Sequence, residues 1–68
     1  MDYTAGEKLL MIMRRKNVSM NELATRLGQS RQNLSNKFKR DNFTEKDLKK
    51  ISEALGLEYK IEFKDKKK

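Results

Sequence analysis

The chain predicts an all-α fold: a compact set of four short helices followed by one C-terminal strand. Three observations lead there. Thr4, Ser19, Ser30 and Thr44 each stand where a hydroxyl side chain can cap a helix start. Apolar residues behind these caps recur at helical spacing. Beyond Gly56 the spacing changes to strict alternation, the period of a strand.

The first helix opens on Thr4 and Glu7, a capping box ahead of the apolar run 9–13, and is expected to reach about Lys16. Asn17 suits the chain reversal that follows. That run is too wide for one helical side, so either Leu10 or Met11 is expected to stay exposed. Ser19 and Glu22 repeat the capping box for the second helix, with Val18 and Leu23 as its hydrophobic staple. Gly28 supplies the left-handed residue that closes it. Ser30 caps a third helix whose charged residues, Arg31, Lys37, Lys39 and Arg40, are all positive. Thr44 with Asp47, and Phe43 with Leu48, mark the fourth start. Leu48, Ile51 and Leu55 then keep helical spacing until Gly56. Residues 1–56 are therefore read as one domain.

In the tail, Leu57, Tyr59, Ile61 and Phe63 alternate with Glu58, Lys60, Glu62 and Lys64. Such a strand, over residues 57–64, has no second strand in the chain to complete its ladder. The direct partner is the same strand of a second copy about a two-fold axis, which would make these four residues a dimerisation surface. The alternative is a tail that lays its apolar side on its own helices. Residues 65–68 read as a disordered basic tail.

Size and composition set limits. Sixty-eight residues, 35% hydrophobic and 40% charged, allow one small core. With no cysteine and no clustered metal ligands, neither disulfide nor metal is expected to staple it. No apolar run approaches the roughly 20 residues that span a bilayer. No signal peptide is visible, so a cytoplasmic protein without membrane contact is expected. Histidine is absent, there is no glycine-rich phosphate loop, and the carboxylates are scattered. An enzyme is not expected, and neither a cofactor nor a small-molecule ligand is implied. The net charge of +7 points to a polyanionic partner, and acidic residues are missing from 30–40. A merely solvated surface would mix both signs there.

Two helices joined by a turn as short as that around Gly28 make a helix-turn-helix unit, whose second helix fits the major groove of double-stranded DNA. The run GQSRQNLSNKF, with Ala24, Gly28 and Leu34 at their spacing, resembles the lambda-repressor-like family, also called XRE or Cro/C1 type. The resemblance covers about residues 6–57. It implies that Ala24 lets the two helices approach and that Leu34 seats the second in the core. Leu23 and Leu27 complete the buried side. Three departures stand out. Many relatives have a phosphate-touching glutamine where this chain has Met20, and an arginine where it has Met13. The usual fifth helix is replaced by the strand-like tail, similar to the Cro-like arrangement of paired C-terminal strands.

At about 100° per residue, Leu34 and Phe38 point towards the core, and Gln32, Asn36, Lys39 and Arg40 point roughly away from it. Asn33 and Ser35 flank them. Arginine donates twice to guanine, and glutamine or asparagine pairs bidentately with adenine. Arg31, Gln32 and Asn36 are thus the base-contact candidates, with Ser35 weaker. Ser30, Asn33, Lys37, Lys39, Arg40, Thr44 and Lys46 are the phosphate candidates, the last two at the amide end of the fourth helix. The expected function is a small transcriptional regulator, a repressor that binds an inverted-repeat operator as a homodimer. Its half-sites would lie about 34 Å apart. Two alternatives are a protein-interaction module of antitoxin or adaptor type using the tail strand, and a nonspecific nucleic-acid binder.

Overall fold

A computed structural model describes residues 3–63 and 65. Four helices follow in order: α1 (Ala5–Lys16), α2 (Met20–Leu27), α3 (Arg31–Arg40) and α4 (Glu45–Ala54). Each begins at the expected hydroxyl. Thr4, Ser19, Ser30 and Thr44 accept from the backbone N–H three residues on, at 3.0–3.1 Å. Each such cap is worth about 1 kcal/mol. The reciprocal half of the capping box forms at Glu7 and Asp47. Ser19 receives no such return. The Glu22 carboxylate instead accepts from Arg26 at 3.3 Å, one turn along α2.

All four helices close in the same manner, through a left-handed residue just past the last turn: Asn17, Gly28, Asp41 and Gly56. In each, that residue and the next donate back to the final carbonyls. At α2 these bonds are Gly28 N to Thr25 O at 3.1 Å and Gln29 N to Ala24 O at 3.0 Å. The expected stops at Asn17, Gly28 and Gly56 are therefore all used. Asp41, which the sequence does not single out, takes the same role at α3 with φ 53°. Its side chain also reaches back, accepting from Gly6 N at 2.8 Å and so fixing the start of α1 to the end of α3.

The core lies where the four helices converge. Leu9 and Met13 of α1, Leu23 and Ala24 of α2, Leu34 and Phe38 of α3, Ile51 and Leu55 of α4 are buried. Leu23 and Leu34 are wholly enclosed; burial of a leucine contributes roughly 1.5–3 kcal/mol. Val18, Leu27, Phe43 and Leu48 are half-buried against this cluster. The Phe38 and Phe43 rings meet edge to face at 5.1 Å. α2 packs on both α3 and α4, and α1 packs on α3. Arg26 adds a polar tie by donating to the Ala54 carbonyl at 2.8 Å, at the end of α4. Leu10 and Met11 both stay exposed, one more than expected.

The tail corrects the sequence expectation. Residues 57–63 form no strand; position 64, the end of the expected strand, and residues 66–68 of the basic tail lie outside the described residues. The reason is local. Leu57 and Tyr59 are half-buried, and together with Lys49, Ser52 and Glu53 of α4 they line a shallow cleft. A single chain offers no second strand, so packing on α4 decides their position. Beyond that packing the tail is more open: Ile61 is 45% exposed and Phe63 92%.

Candidate nucleic-acid interface

α3 is held by one side and presents the other. Leu34 and Phe38 anchor it in the core, while Arg31, Gln32, Asn33, Lys39 and Arg40 stand in solvent. Ser35 and Asn36 are half-buried at the flank. With positions 34 and 38 anchored, the 3.6-residue period leaves Arg31 and Gln32 of the first turn of α3 in solvent.

One open cleft of about 450 Å³ collects much of this face. It is lined by Gln29, Asn33, Asn36, Lys37, Arg40 and Asn42. Four of these are amides and two are cations, so the cleft offers many donors and no carboxylate of its own lining. Asn33, Asn36, Lys37 and Arg40 were expected to act in binding. Gln29 and Asn42 are not among the expected residues, because each lies two residues outside α3. Their signal was in reach: both are amides in the links that flank a basic helix.

Three phosphate candidates are already engaged within the fold. The Lys37 ammonium donates to Asp47 Oδ1 at 2.7 Å. That hydrogen bond, with a second from Thr44 N to the same carboxylate, holds the Asp47 carboxyl below its usual value of 3.8. Lys37 therefore ties α3 to the first turn of α4. Ser30 and Thr44 oxygens accept from their own helices, which leaves each hydroxyl proton as the group to offer outward. The first turn of α4 carries Glu45 and Asp47 as well as Lys46. These carboxylates offset the positive helix end there and weaken its expected attraction for phosphate. Arg31, Lys39, Arg40 and Lys46 remain exposed cations.

Two departures noted in the sequence have plain structural consequences. Met13 is buried in the core beside the α3 anchors, so an apolar side chain fills the place where relatives carry arginine. Met20 is half-buried against the same cluster and lines a groove between α1 and α2. It adds packing at the start of α2, and a thioether has no proton to give a phosphate.

Among the four expected dimerisation residues the tail divides into two pairs. Leu57 and Tyr59 sit on α4; Ile61 is about half exposed and Phe63 stands in solvent. Among the described residues, no helix is long and apolar enough to cross a membrane.

No curated protein and no solved structure matches the chain significantly. The profile of the Cro/C1-type HTH DNA-binding domain does match, over residues 8–59. That span holds all of α2, α3 and α4, most of α1 and the start of the tail, residues 57–59. The chain belongs to the Cro/C1-type helix-turn-helix DNA-binding domain family.

Proposed function

We propose that this protein is a sequence-specific transcriptional regulator that sets α3 into the major groove of operator DNA. The observation that carries the reading is the outer face of α3. It combines base-reading types, Arg31, Gln32 and Asn36, with the exposed cations Lys39 and Arg40, and it has no acidic residue. In this reading Arg31, Gln32 and Asn36 contact bases, with Ser35 at the edge. Ser30, Asn33, Lys39, Arg40, Thr44 and Lys46 approach phosphates, joined by Gln29 and Asn42 from the cleft. Lys37 holds the helix in place. The protein acts in the cytoplasm by occupying DNA, as a repressor, and not by catalysis.

The exposed Ile61 and Phe63 support assembly as a homodimer through the tail. Two apolar side chains make a small contact compared with the roughly 800 Å² per partner of a stable interface. Association is therefore weak in free solution and strengthened when two copies sit on neighbouring half-sites. Selection of bound sequences from a random duplex library at near-physiological salt tests the whole reading. An enriched inverted repeat with half-sites about 34 Å apart is expected. A lone half-site would keep the DNA and remove the dimer. Binding without enrichment, lost as salt rises, would leave only a nonspecific binder.

A further inference from the structure

Gln32 Nε2 lies 3.5 Å from Asn36 Oδ1, one turn along α3, and donates to it. Gln32 is exposed, Asn36 is half-buried in the amide cleft, and its neighbour Lys37 is fixed by Asp47. From this pair we infer that the operator half-site carries an adenine under Gln32, with a keto base, thymine or guanine, one or two steps away under Asn36. The inference rests on the reading of α3 as the base-contacting helix and names what that helix reads.

The argument is one of proton accounting. A primary amide has two N–H protons and one oxygen. To read guanine it turns both protons to the O6 and N7 acceptors; to read adenine it uses one proton on N7 and its oxygen on the N6 amino group. Asn36 takes one Gln32 proton, so the two-donor edge is no longer on offer. What remains is one proton beside Oε1, the complement of adenine. Asn36, with its oxygen turned to Gln32, has its own two protons left to offer. Those suit thymine O4 or guanine O6 and N7, and they reject the cytosine amino group, itself a donor. The two residues are about 6 Å apart along the helix, which fits contacts separated by one or two base steps. The bond is loose in the free protein, and the bases complete it.

The test is the library selection repeated with Gln32→Ala, Asn36→Leu and Asn36→Asp, each checked for an unchanged circular-dichroism melt. Gln32→Ala identifies its base position as the one whose preference disappears. The wild-type protein is expected to favour adenine there by about five- to a hundredfold. Asn36→Leu, which removes the acceptor, should erase the keto preference and lower the adenine preference at the Gln32 position at least severalfold. Asn36→Asp keeps an acceptor for Gln32 but has no donor, so adenine should persist while the keto base gives way to cytosine or adenine. Guanine at the Gln32 position, or an adenine preference untouched by Asn36→Leu, would overturn the pairing while leaving sequence-specific binding intact. A wild-type selection with no motif at all would remove both.

Discussion

Lys37 and Asp47 tie α3 to α4 at 2.7 Å, and that contact governs how each residue responds to salt and acid. A lysine on a phosphate releases a counterion on binding; a lysine held by a carboxylate does not. Substituting Lys39 or Arg40 by glutamine should lower the slope of log affinity against log salt by about one. Lys37→Gln should leave that slope alone and instead cost about 1 kcal/mol of stability, read as a lower Tm. Acid follows the same contact. The Lys37 and Thr44 hydrogen bonds lower the Asp47 pKa below 3.8, so their stabilisation is full above the ordinary carboxylate value. It is lost as pH falls through the depressed folded value. Comparing wild type with Asp47→Asn by denaturant titration should give a constant difference at neutral pH that shrinks below about pH 4. A difference that grew with acid would contradict the pairing.

At the scale of elements, two glycines test different physics. A Cβ on Gly28 meets nothing within 4 Å, but the residue sits at φ 71°. Gly28→Ala should thus cost roughly 1–2 kcal/mol, from the left-handed backbone alone. Gly6 lies inside α1, where alanine is normally favoured by about 1 kcal/mol. Its Cβ would fall 2.9 Å from Asp41 Oδ1 and 3.4 Å from both Phe38 O and the Phe43 ring. Gly6→Ala is therefore expected to destabilise in the natural chain and to recover much of that loss when combined with Asp41→Gly. A thermal-melt double-mutant cycle measures the coupling. Additive losses would separate the two positions.

These same elements divide what the sequence discloses from what it hides. Helix starts were legible because a hydroxyl side chain acts on a backbone group only three residues away. Gly28 and Gly56 were legible because few residues take a left-handed turn cheaply. Asp41 was hidden: its conformation is supported by a bond to Gly6, 35 residues away, and spacing within α3 holds no trace of it. The tie from Lys37 to Asp47 is hidden for a similar reason, since its partner is on the next helix. The tail was misread at the level of period. Alternation is shared by a strand in a ladder and by an extended segment with one side laid on a helix, and only the partner surface distinguishes them.

For the whole molecule, the tail separates self-association from stability. Phe63→Ser removes a side chain that stands in solvent, so the Tm of the isolated domain should not move. Sedimentation at increasing concentration, and cooperativity on an inverted repeat, should both weaken. Tyr59→Ser uncovers α4 and is expected to lower the Tm as well. Equal self-association in wild type and Phe63→Ser would place the dimer contact elsewhere.

Another property follows from the links between helices. Residues 17–19, 28–30 and 41–44 are the only connections among the four, and the chain contains no proline. Contacts between successive helices close after a short search, and no prolyl isomer has to interconvert over tens of seconds. Refolding after rapid dilution from denaturant should run as one exponential, finished within milliseconds. The domain then behaves as a rapidly renewing part: a copy thermally opened between two encounters with DNA is native again before the next.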